Sequence, residues 1–413
     1  MTIEFKQRHM DMSNKKIQHL FTAFKNELKQ TKQPLKNHKA IFAISHCRTS
    51  SMGASFYSCK NNHEAIEIFH SCRHRSCFLC AQRKRLEWIE KQKQRLFNTP
   101  HFHVIFTLPH EYLPLWRFNE KLFTSIIFKA SQTTLLELLA DKKYGGVTPG
   151  ILMTLHTWGR KLNLHPHTHC LVSAGGLDAD KHWKAIDKFL LPSGVIRKVY
   201  RGKVQSLIKA AFQSGEITLP ADWHEGRFWS QYRSLYRKEW SVRIEERYEH
   251  GKGVVLYLAR YCKGGPLHPE QIKSATSNRV ELSYLDHRDK KTKRQHLKPM
   301  ELIQRLLIHV PPKGIHTARY FGLYSAASKS KHIIARNIHG TLSGVGPSAG
   351  SRIADMLLYC KTCGGSASLS HQQWPMRQKG ISINKNTRLG RFVGHVQQVD
   401  ETDIAKGVYD DST

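Results

Sequence analysis

The sequence predicts an α+β protein with a cysteine-rich module ahead of a mixed helix-and-strand body. Three observations carry this reading. Apolar residues recur at helical spacing in several separate segments, strand-like runs pair across a short turn, and five of the nine cysteines fall between Cys47 and Cys80. At 413 residues the chain is long enough for two or three domains, and a 40% apolar composition supplies a sizeable core.

Leu20, Phe21, Phe24 and Leu28 predict a short amphipathic helix within the Lys-rich segment 14–35. Leu86, Ile89 and Leu96 place another over Gln82 to Leu96, ended by Asn98-Thr99-Pro100. The run HFHVIFTLP from His101 reads as a strand, and Leu115 to Ala140 as one or two helices before Tyr144-Gly145-Gly146. Ile151 to Trp158 is a strand, Gly159 to Pro166 a turn, and His167 to Ser173 a second strand that Gly175-Gly176 is expected to close. Helices are expected over Arg201 to Phe212, Trp229 to Glu246 and Val254 to Lys263, the last stopped by Gly264-Gly265-Pro266. Val280 to Asp286 and the basic turn Arg288 to Arg294 suggest a hairpin, and Glu301 to His309 a short helix. Beyond Tyr324 the Ser-, Gly- and Lys-rich composition predicts a less ordered tail. The expected division is an N-terminal helix and cysteine module at 1–96, a central domain at 97–325 and a basic C-terminal region at 326–413.

Sixty-five Lys and Arg against 32 Asp and Glu give a net charge of +33, spread along the chain rather than confined to a tail. Such a field attracts polyanions by counterion release, so nucleic acid is the expected partner. No apolar run approaches the roughly 20 residues of a spanning helix, and MTIEFKQRHM has no apolar core of a secretory signal. A cytoplasmic, nucleoid-associated protein is expected. In a reducing compartment, clustered cysteines read as metal ligands rather than disulfides.

A tetrahedral zinc needs four soft ligands, and a CxxC turn offers two thiolates to one ion. Cys77-Phe78-Leu79-Cys80 is such a turn, preceded by Cys72 and Cys59. The expected structural zinc set is therefore Cys59, Cys72, Cys77 and Cys80, with Cys47, His63 and His74 as substitutes. The neighbouring Arg73 and Arg75 suit this module to grip DNA. A later CxxC, at Cys360 and Cys363, has no second pair nearby in sequence.

In HPHTHCLV, His167 and His169 are two apart, so on a strand both imidazoles face one side. His156, on the strand expected to pair through the hairpin, is the candidate third ligand to a shared divalent ion. The alternatives are a decorated half-exposed strand and a rival pair, His101 and His103.

Tyr257 and Tyr261 are four apart in YLARYCKGGPL, one face of a helix. Either phenol could serve as nucleophile in phosphodiester transfer near a metal. Tyr232/Tyr236 and Tyr320/Tyr324 share this spacing; what raises Tyr257/Tyr261 is its basic context, with Arg260 between and Lys263 following, two cations able to hold a DNA backbone.

Taken in order, HCRTSSMG, SCRHRSCFLC, HFHVIFTLPHE, LHTWGRKLNLHPHTHCLVSAGGL, YLARYCKGGPL and RYFGLYS resemble the rolling-circle transposases of the insertion-sequence-ninety-one type. Those proteins join an N-terminal zinc-binding domain to a two-tyrosine HUH nuclease. The resemblance covers about Cys47 to Tyr324. It implies that His167 and His169 bind the catalytic metal, that Tyr257 and Tyr261 are the nucleophiles, and that the nuclease has an RRM-like antiparallel sheet flanked by helices. With it come Mg2+ or Mn2+, single-stranded DNA at transposon ends and target, a 5′-phosphotyrosine intermediate, and host replication proteins as partners. Two departures stand out: Thr168 holds a position usually hydrophobic, and the cysteine expected shortly after Cys59 is missing. No G-x-x-x-x-G-K-[ST] loop appears, so no fused helicase is implied. A plasmid rolling-circle replication initiator and a non-catalytic zinc-dependent DNA-binding regulator are the alternative readings.

Overall fold

The structure is a computed structural model. It describes residues 15–63, 66–187, 190–249, 253, 265–286, 289, 291–343, 358–360, 362–376 and 395–398. The chain divides into two compact units, each assembled from separated stretches: Met1–Lys84, Leu267–Lys313 and Gly350–Thr413 in one, Arg85–Pro266 and Gly314–Ala349 in the other.

The second unit holds the larger sheet. Its strands, in spatial order, are Ala318–Gly322, Thr148–Trp158, Leu164–Leu177, His101–Thr107 and Val242–Tyr248, each antiparallel to its neighbour. The short strand Trp183–Ala185 pairs with Leu164–Leu177 at its far end. Leaving out Ala318–Gly322, the chain runs strand, helix, hairpin, helices, strand, and the four strands lie in the spatial order fourth, first, third, second. This is the split β-α-β-β-α-β arrangement, the antiparallel RRM-like sheet expected, with Ala318–Gly322 added at one edge.

Alternation assigns the two faces. Phe102, Val104 and Phe106, with Cys170, Val172, Ile151 and Met153, enter the main core. They meet the helices Glu120–Ala140, through Phe123, Ile127 and Leu135, and Ser193–Gln213, through Ile196, Tyr200, Val204 and Ile208. Those residues recur every three or four positions, which puts them on one helical face. Thr168 falls among them, fully buried, and its hydroxyl lies 3.2 Å from that of Ser131. A polar residue at this apolar position is thus satisfied by a second one on the covering helix.

Two expectations change. The predicted helix Trp229 to Glu246 is a helix, Glu225–Arg237, followed by the edge strand Val242–Tyr248. Lys238 turns extended, Trp240 is buried and donates its indole N–H to the Leu235 carbonyl, and buried Val242 then alternates with exposed Arg243. The second hairpin strand does not close at Gly175-Gly176 but runs through both to Leu177. Glycine is needed at 176 because a Cβ there would sit 2.2 Å from the Thr148 carbonyl oxygen. Beyond Tyr324 the described residues form a helix, Lys329–His339, and a long strand, Ser366–Met376.

In the first unit, Ser366–Met376 pairs antiparallel with Ala54–Cys59, which pairs in turn with Ile66–Phe69. Leu358–Tyr359 and His395–Gln398 also pair with Ser366–Met376. The expected hairpin appears as Val280–Asp286 against Lys291–Leu297, with Ile272–Ala275 as third strand, followed by the helix Pro299–Leu307. This stretch belongs to the same compact unit as the cysteine module.

Gly176→Ala should lower stability by roughly 1–3 kcal/mol through overpacking, read as a reduced melting temperature. Gly202→Ala, inside Ser193–Gln213 with nothing within 4 Å of the added methyl, should instead hold or raise it.

Candidate metal centres

The face of the large sheet opposite the main core carries the histidines. Strand register sets His156 directly across from His167, and Thr154 and Ile105 on either side of His169. The result brings one ligand nitrogen from each of His156, His167 and His169 within 4.8 Å of the others. All three residues are nearly or fully inaccessible.

The hydrogen bonds define which nitrogens face inward. His167 Nδ1 lies 2.6 Å from the His165 carbonyl oxygen, so this nitrogen carries the proton and Nε2 presents a lone pair. His167 Nε2 and His169 Nε2 are 3.0 Å apart. Behind His169, its Nδ1 is 2.8 Å from Nε2 of His103. Either a proton shared between the two Nε2 atoms or a cation bound by both relieves the repulsion of lone pairs so close. A metal–nitrogen distance of about 2.1 Å with octahedral angles gives an edge of about 3.0 Å, so the spacing fits a divalent ion. Burial, reinforced by the charge of His156, holds both His167 and His169 well below the usual histidine range. Neutral imidazoles are the form that ligates.

His103, weighed in the sequence as a rival ligand, stands behind His169 instead. Burial holds it down to about 4, so it too is neutral. Its partner in the rival pair, His101, is drawn elsewhere: Nδ1 to the Thr99 carbonyl and Nε2 to the Tyr324 hydroxyl, both 2.8 Å. Sequence reasoning missed this supporting role, although the HxH spacing on a neighbouring strand signalled it. Trp158 stacks on His156 at 4.3 Å between centroids, while Trp183 packs against Phe97 and His339.

Tyr257, Tyr261, Arg260 and Lys263 lie outside the described residues. Of the other tyrosine pairs, Tyr324 is buried and also receives the Phe97 backbone N–H, and Tyr320 donates to Gln92. Tyr232 and Tyr236 lie on Glu225–Arg237, in the helical layer across the sheet from the histidines. Tyr248 lies on the histidine face, its ring 6.1 Å from that of His103.

The cysteine cluster regroups the expected set. Cys72, Cys77 and Cys80 converge as anticipated, but the fourth member is Cys47, not Cys59. Cys47 follows the helix Leu35–His46, and Cys77 and Cys80 open the helix Phe78–Lys93. Sγ of Cys80 is 3.5 Å from Cys47 and 3.7 Å from Cys72. Disulfides need about 2.05 Å, whereas four thiolates about 2.3 Å from zinc lie about 3.8 Å apart. Hydrogen bonding from Cys47, then from Cys72 and Cys77, drives the Cys80 thiol to the thiolate, while the same contacts push Cys72 well up. Buried and crowded, the four become thiolates together only around a cation. His74 does not join the set: its Nδ1 accepts the Ser76 N–H, and its backbone N–H points to Cys72 Sγ. Cys59 stands with His63 and with Cys360 and Cys363. Arg73 is exposed and Arg75 half-buried beside Cys72.

Comparison with known proteins gives two family matches. A model described as "Putative transposase" matches residues 150–331, and one described as "Transposase zinc-binding domain" matches 17–108. The chain is similar to "Putative transposase y4qJ" of Sinorhizobium fredii, 31% identical over 291 residues, covering 69% of this chain and 73% of that one. It is also similar to "Transposase for insertion sequence element IS801" of Pseudomonas savastanoi pv. phaseolicola, 30% identical over 284 residues, 67% of each. A zinc-binding module joined to a histidine-bearing antiparallel sheet is thus that of a transposase. The chain belongs to the IS91 family of insertion-sequence transposases. Among the described residues no helix is long and apolar enough to cross a membrane.

Cys47→Ser should remove one equivalent of bound zinc, read by metal analysis of the purified chain. Acid should destabilise the second unit through His101, which burial holds at about 4. Its unfolded-state value is near 6.5, so the unfolded chain binds the extra proton and stability falls as pH drops from about 6.5 towards 4. Chemical denaturation at stepped pH checks this.

Proposed function

We propose that this transposase nicks and rejoins single-stranded DNA at the ends of its element, using Tyr257 and Tyr261 as nucleophiles beside a divalent metal held by His156, His167 and His169. The observation that supports it most is the convergence of three buried imidazoles on the sheet face opposite the main core. A cation there supplies charge neutralisation at a non-bridging phosphate oxygen and in-line alignment, without redox chemistry. Mg2+ or Mn2+ suits a hard phosphate ligand.

In the reaction, a tyrosine phenolate attacks phosphorus, the P–O3′ bond breaks, and the 3′ oxygen leaves as a hydroxyl on taking up a proton. The enzyme keeps a 5′-phosphotyrosine, so the phosphodiester energy is conserved and no nucleotide is consumed. The second tyrosine repeats the step at another site, and exchange of the two 3′-hydroxyls resolves both joints. The freed hydroxyl is a primer for host replication proteins. His165 fixes the tautomer of His167 through its carbonyl, and His103 orients His169. Arg260 and Lys263, with Arg73 and Arg75 of the zinc module, would hold the DNA backbone by charge.

A single-stranded oligonucleotide carrying the element end, incubated with Mn2+, should yield a protein–DNA adduct that survives denaturing electrophoresis. Tyr257→Phe with Tyr261→Phe should abolish it, His167→Ala should reduce it sharply, and Tyr248→Phe should leave it. An adduct undiminished in the double variant would assign the chemistry to another tyrosine, and an intact oligonucleotide would favour a non-catalytic DNA-binding regulator. His103→Ala should weaken Mn2+ binding roughly 10–100-fold, as loss of an orienting partner does, measured by calorimetric titration.

A further inference from the structure

We propose that Cys59, His63, Cys360 and Cys363 form a second zinc site that fastens the C-terminal strand Ser366–Met376 to the N-terminal sheet. It does not depend on the nuclease reading. The four ligand atoms lie within 4.8 Å of one another, although Cys59 and Cys363 are 304 positions apart in sequence. Sγ of Cys59 is 3.5 Å from Sγ of Cys363 and 3.7 Å from Nδ1 of His63, and that nitrogen is 3.5 Å from Sγ of Cys360. These separations are far from the roughly 2.05 Å of a disulfide. They are close to the edges of a tetrahedron with Zn–S about 2.3 Å and Zn–N about 2.0 Å.

Both ligand-bearing turns are built for this. On one side, Asn62 adopts a left-handed conformation (φ 56°) and donates its N–H to the Cys59 carbonyl, while the Asn61 N–H points to Cys59 Sγ at 3.4 Å. His63 therefore supplies the ligand that the sequence lacks after Cys59. On the other, Gly364 at φ 68° lets the chain reverse and return its N–H to the Cys360 carbonyl. Backbone N–H groups of Cys363 and Thr362 are aimed at the Cys360 thiol. Thiolate-stabilising amides in a CxxC turn are the donor chemistry that zinc selects.

Position gives the site its consequence. Cys59 ends the strand Ala54–Cys59 and pairs with Ala367 at the start of Ser366–Met376. Cys360 follows the short strand Leu358–Tyr359, which pairs with Ala367 and Ser366 of the same strand from its other side. An ion there clamps the sheet at the point where its N- and C-terminal halves meet. The zinc-binding family match stops at residue 108 and includes neither Cys360 nor Cys363.

The test is zinc content of the full chain by plasma mass spectrometry, with hydrogen exchange on the same samples. The wild-type chain should carry at least two zinc equivalents, and a single equivalent overturns the proposal. Cys360→Ser with Cys363→Ser should carry one fewer than wild type, and amides of residues 366–376 should exchange at least tenfold faster. Unchanged zinc content in that variant overturns the proposal. Should the variant fail to fold, Co2+ loaded into the wild-type chain decides. Thiolate-to-metal absorption matching four plus three thiolates, on two ions, supports a second site, and absorption from four alone rejects it.

Discussion

Register in one antiparallel hairpin governs the histidine site. Because side chains alternate along a strand, moving Thr148–Trp158 by one residue against Leu164–Leu177 would turn His156 to the opposite face. The apolar residues interleaved with the histidines resist that slip. Leu155, Cys170 and Val172 are committed to the helical core, so their neighbours His156, His169 and Leu171 must face the other way. Thr168 sits in the same constraint and is held to the core side by Ser131. Core packing and histidine placement are therefore two outcomes of a single pairing, and neither can shift without the other.

Charge acts at two scales in this molecule. The +33 excess is a long-range field suited to a polyanion. At the histidine site the local rule is reversed, since burial keeps His103, His167 and His169 neutral. A basic protein thus keeps these clustered histidines uncharged by desolvation, while its arginines and lysines carry the long-range charge.

Much of this was legible in the sequence wherever the signal is local. The i, i+2 spacing of His167 and His169, and the hairpin that returns His156 to them, follow from strand periodicity alone. So does the CxxC at Cys77 and Cys80. What escaped is non-local or disguised. Cys47 carries no spacing cue, since 25 residues separate it from Cys72. The alternation of Arg243, Glu245 and Arg247 mimics the polar face of a helix, which hid an edge strand. His101 and His103 read as a pair because they are two apart, yet one is drawn to Tyr324 and the other to His169. Pairing of residue 54 with residue 373 has no trace in either segment alone.

That last pairing sets the order in which the molecule is made. Ala54–Cys59 leaves the ribosome more than 300 residues before its partner strand Ser366–Met376. At bacterial and eukaryotic synthesis rates of about 5–20 residues per second, that delay is on the order of tens of seconds. Throughout it, one edge of the early strand waits without its neighbour, while every strand of the histidine-bearing sheet has already emerged by Gly322. The cysteine-rich sheet closes last, so a product cut short before residue 366 would hold the histidine-bearing sheet but an unfinished N-terminal module.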